Sequence, residues 1–440
     1  MQEFQKDFAW LRQTVISQQL CTRCGICAGV CPAKAIEFDQ QNFPVLSGRC
    51  TSCGFCGECC PGADVNLPAL AQELSDKEDT RSPLGHIESA YVAHAADTQT
   101  RRAGTSGGLI TALLLFLLSA GQIDGAIVVE ADPERQHLTR GILATSPAAI
   151  SNAAQSKYCV TPSMAALRDI RIRKGRFAVA ALPCQVHGLR KLAHVDPKLS
   201  GKIAVILGLC CSCTMSGEAW QEALRAAGIQ REDVASFEFR GGGWPGGMFV
   251  RKKDGTTVPL HPNEAYGTVV NAMFRLFGPE RCRLCVDGTS ALADLSFGDF
   301  WAFDYADEFS RMECCTQVFQ RTAKGRDILQ SAEQAGAVVL YSLPAAKISA
   351  RTLAMIRGKR SRAAVQMAKR RQRGLPNPDY HAAIQEPSLN DRLKNLPADL
   401  FDLLRKNAAL RSGILKILFS PLITPLHKLR MRFFVRHHNR

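Results

Sequence analysis

The 440-residue chain is short of three things, and each shortage excludes something. No apolar run is long enough to span a bilayer; Leu109–Leu118, the longest, is well short of the roughly 20 residues a crossing helix needs. No secretory signal pattern opens the chain, so the expected compartment is cytoplasmic and reducing, where disulfides do not persist. Acids are missing from two stretches. Arg351–Arg373 has nine Lys/Arg and no Asp or Glu, and Phe401–Arg440 has nine Lys/Arg and only Asp402. Together they exceed the whole net charge of +15, which leaves the rest near neutral. Basic stretches give non-specific affinity for nucleic acid. Here, though, aromatics make up only 7% of the chain and none falls within Arg351–Arg373, so no nucleic-acid partner is expected.

What the chain has instead is cysteine, 18 in all. Cys21, Cys24, Cys27 and Cys31 stand in C-x2-C-x2-C-x3-C before Pro32, and Cys50, Cys53, Cys56 and Cys60 repeat the spacing before Pro61. A cubane iron–sulfur cluster needs four thiolates around a compact object. Three from a tight turn hold three irons, and the fourth, set before proline, ligates the other cluster. The spacing therefore predicts two [4Fe-4S] clusters, one on Cys21, Cys24, Cys27 and Cys60, the other on Cys50, Cys53, Cys56 and Cys31. A zinc site would use two CxxC pairs and leave the third cysteine and the Cys-Pro without a reason. Cys59 has no place in the pattern.

The expected organisation is an α+β ferredoxin-like two-cluster domain over residues 1–67, led by a short helix, and a linker over 68–88. An α/β domain over 89–345 and a basic helical extension over 346–440 follow. Short apolar segments at Tyr91–Ala95, Asp124–Glu130, Arg176–Ala181 and Ile203–Leu209 read as strands, and Leu109–Ser119 as a buried helix. Their alternation predicts a mostly parallel sheet covered on both faces.

Gly104-Thr105-Ser106-Gly107-Gly108 stands just before that helix, where free backbone N–H groups favour phosphate. Ser156-Lys157-Tyr158 reads alone as a polar turn. Leu182-Pro183-Cys184-Gln185 follows a strand, where ligands of α/β folds gather. Cys282-x2-Cys285 is half a metal site, with Cys184 and the Cys210/Cys211/Cys213 group as candidates for the rest; Cys314 and Cys315, being adjacent, read as structural.

Taken in order, these motifs, with Gly-Leu-Cys-Cys at 208–211, Phe-Arg-Gly-Gly-Gly-Trp at 239–244 and Ala-Asp-Leu-Ser-Phe-Gly-Asp at 293–299, resemble the beta subunit of coenzyme F420-reducing hydrogenase and dehydrogenase. The family also includes ferredoxin-dependent reductases of the chlorophyll pathway. The resemblance covers roughly residues 17–335 and departs from the family pattern at Ala181, where glycine is usual. It implies a flavin, FAD with FMN as the alternative, held by Thr105, Ser106, Gly107 and Gly108, with Ser156, Lys157 and Tyr158 beside it. It also implies a third cluster on Cys184, Cys211, Cys282 and Cys285, where Cys210 or Cys213 could replace Cys211. Lys157 is the candidate catalytic residue, its charge stabilising a reduced flavin.

The expected function is that of an iron–sulfur flavoprotein oxidoreductase. Electrons pass between a ferredoxin-like donor or acceptor, the clusters and a flavin that exchanges a hydride with an organic substrate or the deazaflavin coenzyme. The alternative is an electron-transfer subunit of a larger complex with no substrate site of its own. A homo-oligomer is compatible with either. In the tail, Leu410, Ile414, Ile417, Leu418, Leu422, Leu426, Leu429 and Phe433 recur at helical spacing among Arg411, Lys416, Lys428, Arg430 and Arg432, interrupted by Pro421 and Pro425. Such a segment lies on the inner membrane surface or docks on protein.

Overall fold

The structure is a computed structural model that describes residues 5–75, 82–244, 246–262, 265–301, 314–342 and 344–429. The cysteine repeat extends to the backbone. In each half the second residue after the first cysteine, Arg23 or Ser52, adopts positive φ and points its N–H at that cysteine's sulfur, 3.4 Å away in both. Gly25 and Gly54, at φ +88° and +79°, then start the short helices Ile26–Val30 and Phe55–Glu58. The antiparallel pair β1 (Ile36–Phe38) and β2 (Pro44–Leu46) lies between them. The N-terminal lead is Phe8–Trp10, running into a π-helical turn at Leu11–Ile16. The segment read as a linker opens inside the helix Leu67–Gln72, capped by Asn66, and later buries Leu84; residues 76–81 lie outside the described residues.

The strands β3 (Ser89–Ala95), β4 (Gly125–Ala131), β5 (Thr139–Ala144), β6 (Phe177–Ala181) and β7 (Ile203–Leu209) carry the apolar segments singled out above. A separate antiparallel sheet joins β8 (Val234–Gly241), β9 (Gly247–Lys252) and β10 (Thr257–Pro259). The chain then returns to the large sheet with β11 (Leu295–Asp299), β12 (Thr316–Gln320) and β13 (Val338–Ser342). Its order is β13-β3-β12-β11-β7-β6-β4-β5. The expectation of a mostly parallel sheet is corrected. Only β4, β6, β7 and β11 pair in parallel, while β5, β12 and β13 run antiparallel to their neighbours. A parallel neighbour requires a long crossover, and β5 returns from β4 after only residues 132–138.

Both faces of the sheet are covered, as expected, and side chains divide with the strand period of two. Ala178, Val205, Leu207 and Phe297 face the helices Leu109–Ser119 and Ala323–Gln334. Phe177, Val179, Ala181 and Ile206 face the helix Pro183–Val195 and the cysteine segment itself, in one core with Cys24, Cys27, Cys56 and Cys60. The cysteine turns come very close to the α/β body. A Cβ on Gly25 would stand 2.3 Å from the Pro162 carbonyl oxygen, and one on Gly29 2.1 Å from that of Met164.

The basic extension is not peripheral. Its first helix, Ala345–Gln372, spans about 42 Å along the second face of the sheet. It packs Ile348 against Ala90 and Phe319 at one end, and Ala363 and Met367 into the cysteine-bearing core at the other. The helices Leu389–Lys406 and Ala408–Leu418 pack on the helices Tyr266–Phe277 and Gly217–Ala226, and Leu415, Leu418 and Ile423 are buried in the core these share with the small sheet. Arg411 grips Glu218 and Glu222, and Arg405 grips Glu280. Outward, Leu389, Leu393, Leu396, Leu400 and Leu403 form an exposed stripe, followed by Leu410, Ile417, Leu422, Leu426 and Leu429. Arg430, Arg432 and Phe433 lie outside the described residues. Among the described residues no single helix is long and apolar enough to cross a membrane.

Candidate cofactor sites

The first two cysteine sets close across the halves of the repeat. Cys60 lies near enough to Cys21, Cys24 and Cys27 for their charges to interact. Cys31, Cys50, Cys53 and Cys56 line a common cavity of about 20 Å³ with Phe8, Ala35 and Ile36. Among the described residues no three His, Cys, Asp or Glu side chains converge on a single ion. Burial pushes the Cys21 and Cys27 thiols well up, Cys56 to about 12 and Cys60 to about 11. A bound iron–sulfur core would supply the positive charge that favours the thiolate form of such sulfurs. Backbone N–H groups of Arg23, Ser52 and Gly62 already point at Cys21, Cys50 and Cys60, the hydrogen bonds that tune such clusters. The residues therefore fit the groups the spacing implies.

A third thiol group forms at the carboxyl ends of the parallel strands, the edge where open α/β sheets bind ligands. β6 leads into Leu182 and Pro183, which place Cys184 in the first turn of its helix. β7 leads into Cys210, Cys211 and Cys213, and the turn Glu280–Arg283 brings Cys282 and Cys285. Cys184 interacts electrostatically with Cys282, Cys285 and Cys211, while Cys213 hydrogen-bonds Cys282 as a fifth thiol. Cys210 turns away toward Gly298 and Gln317. Burial raises the thiol pKa of Cys184 and Cys211, and the hydrogen bond between Cys213 and Cys282 raises the first of that pair and lowers the second. Asp287, two residues on, is held well below the carboxylate range. Burial opposes its charge, but His187 at 3.0 Å and the N–H groups of Thr289 and Ala291 outweigh that.

The third group abuts the first. Arg281, fully buried, donates to Gly62 O (2.9 Å) and Pro61 O (3.2 Å), just beyond Cys60, and to the Tyr380 hydroxyl (2.7 Å). Tyr380 in turn donates to Leu284 O (2.9 Å), beside Cys285. Of the thiols that act electrostatically on Cys184, Cys24 has the largest effect.

The glycine-rich loop lies on this same edge. β3 ends there, and Ala95 N donates to Gly107 O. Gly107 and Gly108 have φ +87° and +65°, and a Cβ on Gly108 would stand 2.2 Å from Thr100 O, so only glycine fits this turn. Ser156 N donates to Thr105 Oγ1 at 2.7 Å, and Thr316 Oγ1 bonds Ser106 O. The two segments read as flavin-binding are thus joined. Tyr158 packs edge-on against Phe274. Lys157 turns back instead, its Nζ donating to the carbonyls of Ala153, Ala154 and Gln155. Burial pushes its pKa down to about 8, with Glu130 opposing.

Several residues here were not singled out from sequence. Arg240 makes a 2.6 Å ion pair with Asp299 and lies over the rings of Trp244 and Trp301, which are 5.0 Å apart. Their motifs, Phe-Arg-Gly-Gly-Gly-Trp and Ser-Phe-Gly-Asp, were the available signal. Arg101 reaches Cys314 O and Cys315 Sγ beside the glycine loop.

Known families match both the cysteine segment and the α/β body. Residues 90–168 match the family model described as coenzyme F420 hydrogenase/dehydrogenase, beta subunit N-term, and residues 174–345 match its C terminus. Residues 14–37 match a 4Fe-4S binding domain. The coenzyme F420 hydrogenase subunit beta of Methanococcus voltae is 25% identical over 309 residues, which cover 67% of this chain and 99% of that protein. The coenzyme F420-dependent sulfite reductase of Methanocaldococcus jannaschii is 28% identical over 249 residues, covering 53% of this chain and 37% of that one. Among solved structures, a chain of the F420-reducing [NiFe] hydrogenase complex of Methanosarcina barkeri shares the fold. Its TM-score is 0.52 at 22% identity, with 67% of this chain and 96% of that chain covered.

Proposed function

Because the chain belongs to the coenzyme F420 hydrogenase/dehydrogenase beta-subunit family and carries a 4Fe-4S binding segment, we propose that it is an iron–sulfur flavoprotein oxidoreductase. When bound, two [4Fe-4S] clusters, a third cluster and FAD or FMN would supply single-electron transfer and hydride exchange, linking a ferredoxin-like partner to an organic substrate or a deazaflavin coenzyme.

The residues have distinct parts in this reading. Cys21, Cys24, Cys27 and Cys60 hold one cluster, and Cys31, Cys50, Cys53 and Cys56 the other. Cys184, Cys211, Cys282 and Cys285 hold the third. Thr105, Ser106, Gly107 and Gly108 present backbone N–H groups to the flavin at the start of the helix Leu109–Ser119, with Ser156 and Tyr158 beside them. Lys157, whose amine caps three carbonyls, fixes that second segment and brings a positive charge to its back.

The observation that carries the reading is the Thr105–Ser156 bond. It sets both flavin segments on the sheet edge that also ends in Cys184 and Cys211. Anaerobic purification followed by iron, sulfide and flavin analysis tests it. The expected result is flavin together with iron and acid-labile sulfide in equal amounts; zinc with no flavin overturns it.

A second reading makes the chain an electron-transfer subunit with no substrate site of its own. It is favoured by the exposed leucine stripe from Leu389 to Leu403, a surface suited to a partner protein, or to a lipid surface together with the basic tail. The M. barkeri chain, too, belongs to a hydrogenase complex. Reduction of a small molecule by the isolated chain would eliminate this reading.

A further inference from the structure

Lys359 stands in the acid-free run Arg351–Arg373, where a solvated amine is the ordinary expectation. It is instead 6% exposed. The helix Ala345–Gln372, which begins at the last residue of the family match, carries it inward between Ile356 and Ala363, both fully buried. Its Nζ donates to Cys211 O at 2.7 Å and Asp287 O at 2.9 Å. Those carbonyls belong to the two segments that deliver Cys211 and Cys285. The stem passes over Gly288, whose missing Cβ would stand 2.3 Å from Ile356 Cδ1 and 3.4 Å from Lys359 Cδ. The chain has thus made a passage for this side chain. Beside it Arg360 donates to Val286 O at 3.2 Å.

Four thiolates around a [4Fe-4S] core leave a net negative charge, and a buried charge is retained only with compensation. An ammonium has three donors, and the two carbonyls engage two. We infer that Lys359 is the fixed counter-charge of the third cluster, a positioning residue that ties both ligand segments together and makes that cluster easier to reduce. The inference rests on the third-cluster reading and gives the helix Ala345–Gln372 a part in the redox site. The mechanism is Coulombic. A positive charge held near the cluster favours the state that carries one more electron, and removing it lowers the midpoint potential.

The test uses the full chain, purified anaerobically, as wild type, Lys359→Met, Lys359→Gln and Lys359→Arg. Iron per chain in the wild type is read first. A value matching only two clusters overturns the third-cluster reading and the inference with it. With three clusters present, redox titration followed by electron paramagnetic resonance gives each midpoint. Lys359→Met should shift one cluster negative by at least tenfold in its equilibrium, 59 mV for one electron, and leave the other two in place. Lys359→Arg should stay near wild type. Lys359→Gln keeps a donor for the carbonyls without the charge, so it should match Lys359→Met and serves where that variant fails to fold. Three unmoved midpoints in the neutral variant that loads fully overturn the proposal. So does a shift in Lys359→Arg as large as in Lys359→Gln.

Discussion

The N-terminal cysteine sets and the third thiol group, proposed to hold the same kind of cluster, are assembled by different means. The first two come from residues 21–60, where two short turns with matching positive-φ residues repeat the same N–H to sulfur contact. The third is collected from the ends of β6 and β7 and from the turn Glu280–Arg283, and the amine that bonds Cys211 O, Lys359, stands more than 70 residues beyond Cys285. The difference teaches where each site's integrity lies. The first depends on local backbone geometry and on docking to the sheet, the second on the sheet's own register, Ala181 opposite Gly208.

Removing ligands should separate the two most sharply. Cys282→Ala should cost about four irons per chain, one cluster's worth, and leave the N-terminal clusters with their spectra intact. Cys60→Ala should cost a similar amount while sparing the third. Loss of all iron in either variant would break the distinction.

A smaller effect is expected from Gly29→Ala. Its Cβ would press on the Met164 carbonyl oxygen, so about 1–3 kcal/mol of stability should be lost in chemical denaturation, the range for an overpacked site. An unchanged midpoint would show that the cysteine segment does not rely on that close contact. Tyr380→Phe removes a hydroxyl that bonds both Arg281 and Leu284 O, between the first and third groups. About 1–2 kcal/mol should go with it, and a thermal melt would show it.

Lys157→Met probes the flavin side through pH. The folded-state pKa of Lys157, about 8, lies below the unfolded value of roughly 10.4, so folding favours the neutral amine. The charged form costs stability below about pH 8, and that cost fades as pH rises toward about 10.4. Flavin-free wild type should therefore gain stability relative to Lys157→Met between those values in urea titrations; parallel curves would deny the burial effect. Smallest in stability is Leu400→Gln on the exposed stripe, which should stay within about 0.5 kcal/mol. It should nevertheless weaken partner capture or vesicle flotation. Point changes suit this region better than deletion, because Leu415 and Leu418 are part of the core.

Much of the first site could be read from sequence because cluster ligation imposes spacing within one short segment. The strands did nearly as well, since their apolar runs are local. The third group was readable as the pair Cys282 and Cys285 with Cys184 and the Cys210/Cys211/Cys213 group as candidates; the choice of Cys211 came through family resemblance, because it is non-local strand register that unites the set. Lys359 could not be found that way. In a run of nine basic residues nothing local distinguishes the one turned inward, and the gap left by Gly288 lies some 70 positions earlier. The antiparallel flanks of the sheet were hidden for a similar reason, as strand direction is decided by the connections.

The near-contact of Gly25 and Gly29 with the 162–164 backbone also bears on transplantation. A ferredoxin from another source could carry the same eight ligands and still not replace residues 21–60. Its turns would need the same two bare backbone positions to seat against the sheet. Engineers wishing to exchange the cysteine segment would have to graft the recipient ledge at 160–167 along with it, so the practical unit of exchange is larger than the motif.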